Sequence, residues 1–526
     1  MMINIRERGQ KVSQCFKEAV HLSRRQIAKA LGISKSSVQR LLTSQFRRQQ
    51  YPESYFWETT EGQNWLRLLV FGVIYCFGIK GGVGAGSLST FFNMLRLDKH
   101  IGCSPSALRT MKGQVKAKII DYEQEQSKAC QSDTSISICV GTDETFFGLP
   151  ILVAIELSSG FIFSEVECEN RTYETWWNQL GSWFNPEQWD CRYMVSDGAR
   201  ALVKLALDGL ECPTVPDVFH MLRDFSKSIG GTIGLQQARL QKEHLALTAK
   251  SSSKSKAQLL VVEAQQLQIE KAHNDYQESI HALSQSIHPF HIDTGESQMG
   301  MELQSSLQPH LDVLERLSQT YSPSKSQAAL ERWKRQIPCL SGGLHAWWVW
   351  VIQALSTQTQ DPEIHNWVLN CLLPWVYWHQ QTQKTRQPQL KQNYEQATKS
   401  AHERFLADDY TKNLTSSEQQ KWIDWSIWMC TKFQRTSSAV EGRNGYLSGL
   451  HHSGRGFTEQ TLKVLTIIHN FDIKRDDGTT AAQRLFEKPF PDLFEWIVPR
   501  MGELPSPRRT FKTPKSKKPT PSGVPL

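Results

Sequence analysis

The sequence has no C-x-x-C pair, and its eleven cysteines are scattered and odd in number. This excludes a zinc ribbon and a disulfide framework and points to a reducing compartment. The opening residues MMINIRERGQ lack the apolar core of a secretory signal. No apolar run reaches membrane-spanning length. The most apolar, WLRLLVFGVIYCFGI over 65–79, is short and carries Arg67, so a buried helix and a soluble, cytoplasmic protein are expected. Repeats at solenoid spacing are missing as well. The glycine-rich GIKGGVGAGS (78–87) is followed by no Lys-Ser or Lys-Thr and preceded by no strand pattern, which argues against a phosphate-binding loop.

Positive charge is present and unevenly placed within a net charge of +8. Lys and Arg crowd the first fifty residues, where only Glu7 and Glu18 oppose them, and they return in the final LPSPRRTFKTPKSKKPTPSGVPL. Charge clustered at both ends suits a polyanion, nucleic acid above all, although solubility alone is the plainer explanation. The Pro- and Lys-rich residues 501–526 are expected to be disordered.

Within the basic start, SRRQIAKALGISKSSVQRLL (23–42) has helix–turn–helix spacing. Ala28 lets two helices cross closely, Gly32 permits the turn, and Ser34 caps the second helix. The exposed face of that helix would present Lys35, Ser36, Ser37, Gln39 and Arg40, side chains suited to phosphates and major-groove edges. Residues 1–50 are therefore read as a DNA-binding unit; an ordinary helical hairpin is the alternative. Residues 51–130 are helical in pattern. Their GSLSTFFNMLRLDKHIGCSPSALRTMKGQV (86–115), with Ser104 as a cap, is a weaker second candidate of the same kind.

From 134 to 222 the pattern changes to strands. SISICVGT (135–142), LPILVAIEL (149–157) and FIFSEVEC (161–168) read as three consecutive strands, with SSG as a tight turn. A helix over TYETWWNQLGSWF, a strand CRYMVS (191–196), helical GARALVKLAL and a short strand in CPTVPDVFH follow. The fold class is an α/β core built on a mixed sheet of order 3-2-1-4-5, with the first and fourth strands parallel neighbours. Asp143 and Asp197 then emerge at adjacent carboxyl ends, where open α/β sheets hold ligands. At about 4 Å and an effective dielectric near 20 their repulsion is on the order of 4 kcal/mol. A proton or a cation must relieve it. Hard oxygen ligands with open positions suit Mg²⁺ or Mn²⁺, and a pair of ions could serve both oxygens of a phosphoryl displacement. A lone strand-end aspartate, by contrast, is commonly a turn or cap residue.

A third acid is available in QRTSSAVEGRNGYLSGLHHSGRGF (434–457), where Ser437 can cap a helix carrying Glu441 in its first turns. Gly442 and Gly445 weaken that helix by roughly 1 kcal/mol each. The cost is understandable where backbone must approach a partner closely. Arg443, His451, His452 and Arg455 surround the glutamate with phosphate-binding groups. A solvent-facing capping glutamate is the alternative. Residues 223–433 are helical, rich in Gln and then Trp. Trp347, Trp348, Trp350, Trp375 and Trp378 are core residues by default; a flipped base stacked on one of them is the sharper expectation.

In this order the motifs VGTDETF, YMVSDGARAL, PDVFHMLRDF and RTSSAVEGRNGYLSGL resemble those of DDE transposases, which join a helix–turn–helix reader to a ribonuclease-H-like catalytic fold. The resemblance implies Asp143, Asp197 and Glu441 as the catalytic and metal-binding acids, holding two Mg²⁺ or Mn²⁺ ions. It also places Asp217 and His220 in an Asp/Cys-x-x-His element, with His220 near the scissile phosphate or orienting a carboxylate. Glu441 follows Asp197 by 244 positions, so the resemblance implies a helical insertion, 223–433, between a first core segment (134–222) and a last one (434–500). It implies end cleavage and 3′-hydroxyl strand transfer on double-stranded DNA, transposon ends and target, by a homodimer or larger complex associated with the nucleoid. A non-catalytic DNA-binding regulator or inactive remnant, and a nuclease or resolvase, are the alternatives.

Overall fold

A computed structural model describes residues 11–507 apart from 13, 16–21, 58, 132–133, 186, 250–252, 322–324 and 453–455. The chain forms two compact units, residues 1–125 with 491–526, and residues 126–490.

In the first unit the expected helix pair forms, α1 (Arg24–Ala30) and α2 (Lys35–Gln50). Ser23 and Gln26 close a reciprocal capping box at the start of α1. Gly32 takes φ +62 in the turn, and Ser34 Oγ accepts from the Ser37 N–H at 3.1 Å. Ile27, Ala28 and Val38 are buried together, which leaves Lys35, Ser36, Gln39 and Arg40 exposed. Ser37 is only half-buried and accepts from Arg40 Nη2 at 3.1 Å. The apolar run at 65–79 lies within one helix, Thr60–Lys80, which by length and composition is apolar enough to cross a membrane. Half of that window is buried, and Arg67 donates to the carbonyl of Val498 at 2.7 Å and to that of Met501. The second helical candidate also forms, as Ala85–Met94 and Pro105–Gln126, with Ser104 Oγ accepting from the Ala107 N–H.

Residues 491–500, expected in the catalytic core, belong instead to this first unit. The helix Leu493–Arg500 sets Trp496 edge-on to Tyr122 at 5.3 Å, and its indole donates to Glu125. Of the terminal segment expected to be disordered, residues 508–526 lie outside the described residues.

The second unit holds the sheet. Its strands are β1 (Ile136–Phe146), β2 (Pro150–Glu156), β3 (Ile162–Glu167), β4 (Trp189–Ser196) and β5 (Thr214–Pro216), in the order 3-2-1-4-5. β1 runs antiparallel to β2 and parallel to β4. β2 is buried at every position, as expected of a strand covered on both faces. Gly160 turns at φ +82 between β2 and β3. Helices α3 (Tyr173–Leu180) and α4 (Val218–Phe225) follow the third and fifth strands.

The inserted region begins with two long helices, α5 (Gly231–Thr248) and α6 (Ser253–Ser286), and continues through α7 (Lys325–Gln358), which packs on β4 and β5. One apolar cluster joins Val153, Val195 and Val215 of the sheet to Tyr276, Leu340 and Trp347 of the insertion, so these helices share the core of the sheet. Trp347, Trp348, Trp350 and Trp378 are buried, which removes them as base-stacking surfaces; Trp375 is half-buried against Phe405 at 4.7 Å. Two last helices, α8 (Ser438–His452) and α9 (Glu459–Phe471), return to the sheet, α8 over β1 and β2 and α9 against β3. The Asn470 side chain on α9 accepts from the Ile162 N–H and donates to its carbonyl, which caps the outer edge of β3.

Candidate functional site

The parallel pairing of β1 with β4 ends at Gly141↔Val195. Asp143 and Asp197 each lie two residues beyond that pair, so the register delivers both to one end of the sheet. β1 continues past the pairing with β4 and Asp143 stays paired with Val153 of β2, while the chain leaves β4 directly after Ser196. Asp197 Oδ1 accepts from the Ala199 N–H at 2.8 Å, and Gly198 adopts φ +77 in the same turn.

Glu441 is brought to this end by a set of contacts around the start of α8. Asp217, fully buried after β5, accepts from the Phe219 N–H at 2.7 Å and caps α4. Its other oxygen accepts from the Ser437 N–H at 3.0 Å and from the Ser437 hydroxyl. Ser437 therefore spends its hydroxyl on Asp217 and not on capping α8; its carbonyl receives the Val440 and Glu441 N–H groups. One turn into α8, Asn444 donates from Nδ2 to Asp143 Oδ2 at 3.2 Å.

The result is a cluster of Asp143, His220 and Glu441 with one ligand atom from each within 4.8 Å of the others. His220 Nε2 lies 3.2 Å from Glu441 Oε1, and its Nδ1 is 3.7 Å from Asp217 Oδ2. The ring is almost enclosed and faces the carboxylates of Glu441 and Asp217. Asp197, expected as a full member, is not in this cluster; one of its oxygens accepts from the Ala199 N–H in its own turn. It is close enough for its charge to act on both Asp143 and Glu144.

Burial first, and then the charges of Glu441 and Asp197, push the Asp143 carboxyl up to about 7, against a downward pull from the Glu144 backbone N–H. Because protonation and a cation compete for Asp143, divalent-ion affinity is expected to be about tenfold lower at pH 6 than on its plateau above pH 7. Calorimetric titration with Mn²⁺ at several pH values checks this; a pH-independent affinity would refute it.

Other expected contacts resolve differently. Arg443, expected to hold phosphate, is buried in a two-pronged ion pair with Glu165 of β3, at 2.6 Å for both bonds. Thr466 of α9 donates to the same carboxylate. Arg443 therefore ties α8 to the sheet. Arg455 lies outside the described residues. His451 stacks on Phe147 at 4.6 Å. A Cβ on Gly442 or Gly445 would meet no described atom within 4 Å, so the glycine face of α8 stays open beside the acids.

Sequence reading missed three residues here. Glu144 is raised by burial and by Asp197 and is held by Arg171 at 3.1 Å. Asn444 contacts Asp143, and its Oδ1 is buried with no partner among the described residues. Arg223 lies half-exposed, 3.7 Å from Glu441. The last two were legible as i+3 neighbours, of Glu441 on α8 and of His220 on α4. Glu144 gave no signal beyond adjacency.

The donor set suits a divalent metal ion: two carboxylates and one imidazole converge, one acid is forced toward protonation in the ion's absence, and an amide oxygen beside them has no partner among the described residues. Residues 368–513, which span Glu441, match a family of unknown function, DUF6399. No curated protein and no solved structure matches the chain.

Proposed function

We propose that this protein is a metal-dependent DNA strand-cleaving and strand-joining enzyme of the DDE transposase type, with a ribonuclease-H-like core. The observation that carries the reading is the convergence of Asp143 on β1 and Glu441 on α8 with His220, beside Asp197, at the carboxyl ends of parallel strands. Asp143, Glu441 and His220 would hold the ion, with Asp197 next to it. Bound there, Mg²⁺ or Mn²⁺ offsets the carboxylate charge and polarises a phosphoryl oxygen. Asn444 fixes the Asp143 carboxylate, and Arg223 offers a positive group to a phosphate. The open glycine face of α8 leaves room for a DNA backbone to come close. Phosphoryl transfer needs positioning and charge, and no protein nucleophile.

A linear duplex carrying the DNA that borders the reading frame tests the reading. Nicks in that flanking DNA and joined 3′ ends, both dependent on metal, are expected. Nicking without joining would support a nuclease or resolvase, and binding without nicking a regulator.

Two further outcomes follow from named residues. An imidazole ligand favours Mn²⁺ over Mg²⁺ by the usual order of divalent affinities, so Mn²⁺ is expected to bind about tenfold or more tightly. His220→Ala narrows that ratio in calorimetry; an unchanged ratio would remove His220 from the ligand set. On the first unit, Lys35→Ala and Arg40→Ala are each expected to lower the salt slope of DNA binding by about 1, as lost phosphate contacts do. A slope that both variants leave unchanged would move the DNA surface off α2.

A further inference from the structure

The paired helices α5 and α6 carry a feature that neither their own packing nor the metal site uses. On α6, Val262, Ile269, Ala272, Tyr276 and Leu283 are buried, forming the seam that faces α5 and the core. The opposite side of the first half of α6 carries a second seam: Ala257, Leu260, Ala264 and Leu267, at spacings of three, four and three. All four are exposed, Leu260 by 68% and Leu267 by 71%. Spacing of three and four is the pattern by which helices pair in a coiled coil, and large apolar residues in that pattern are unfavourable in water unless covered.

We propose that this seam is a homodimer interface, in which α6 of a second copy of this chain packs antiparallel to it across a twofold axis. The seam is complementary to itself in that orientation. Alternate layers in an antiparallel pair set one position of the repeat against the other, so Leu260 meets Ala264 of the second copy and Leu267 meets its Ala257. Every small residue then receives a large one. Charge fits the same register: the exposed Lys256 of each copy falls beside the exposed Glu270 of the other, twice by symmetry. Glu263 lies near the axis, with His244 Nε2 of α5 3.4 Å from its carboxylate in the same chain. Parallel pairing would set Ala against Ala and separate Lys256 from Glu270, losing both complementarities.

The proposal does not rest on the strand-transfer reading, since no residue of the metal site takes part. Sedimentation equilibrium of the full chain tests it without DNA or metal. The wild type is expected to be a dimer at micromolar concentration. Leu260→Glu with Leu267→Glu should weaken association by at least about tenfold, with the circular dichroism unchanged because both side chains are solvent-facing. Lys256→Glu should weaken it by about threefold to tenfold, and adding Glu270→Lys should restore it. A monomeric wild type at about 50 µM would overturn the proposal. So would a dimer indifferent to the two leucine changes, or a charge reversal that the second change does not repair.

Discussion

Asp143→Asn is expected to lower metal-dependent DNA cleavage by about 10³-fold while leaving duplex affinity within a factor of about two. The size follows from the chemistry. A metal-organised site supplies several kcal/mol of charge stabilisation, and each 1.4 kcal/mol is about tenfold in rate. Asparagine keeps the shape of the side chain, and its oxygen can still accept from Asn444 Nδ2, now 3.2 Å from Asp143 Oδ2. What disappears is one negative charge, so a structural collapse cannot be blamed for the loss.

The same substitution has an opposite effect on stability. The folded Asp143 carboxyl titrates near 7, above its ordinary value of 3.8, so between about pH 4 and pH 7 the folded state binds more protons than the unfolded one. Stability of the metal-free protein therefore falls as pH rises through that window. Asp143→Asn removes the ionisation and should raise the melting temperature at pH 8, but not at pH 4. Calorimetric melting of the metal-free protein at both values checks the sign. A variant that kept cleaving would end the assignment of Asp143; a variant no more stable at pH 8 would mean that Asp143 is not strained by its neighbours.

Much of this was legible in the sequence because it depends on local pattern. The β-branched runs and turn residues around 135–168 specify three adjacent antiparallel strands, and a parallel fourth strand puts Asp197 level with Asp143. The helix pair at 24–50 was legible for a similar reason: Ser23, Gly32 and Ser34 are punctuation that acts within a few residues. Contacts that close over long separations were not. Ser437 looks like a cap, yet its partner Asp217 lies 220 positions earlier. His220 was visible as a candidate, but only the return of α8 brings Glu441 to its ring. The end of the core at residue 490 was hidden because Leu493–Arg500 takes its contacts from Tyr122 and Arg67, far back in the chain. Burial of a charged residue was the least legible feature, since a basic side chain among glycines reads as exposed by default.

Arg443 shows what that default conceals, and it supplies the second large expected effect. The guanidinium and the Glu165 carboxylate are 2% and 0% exposed, joined by two short parallel bonds. Such a pair adds little over apolar residues of equal volume, but losing one member leaves the other buried and charged, at a cost of about 3–5 kcal/mol. Arg443→Met removes both bonds to Glu165 and leaves it Thr466 as a weaker partner. Strand β3 and helix α8 should then open more often. Hydrogen exchange in residues 162–167 and 438–452 is expected to accelerate by roughly 10²- to 10³-fold, with little change in the helix pair at 24–50. Adding Glu165→Leu removes the stranded charge and should recover most of the loss, which a phosphate-binding arginine would not permit. If Arg443→Met instead lowered DNA affinity with exchange unchanged, the guanidinium would be a DNA ligand, and the tie that sets Glu441 against the sheet would have to lie elsewhere.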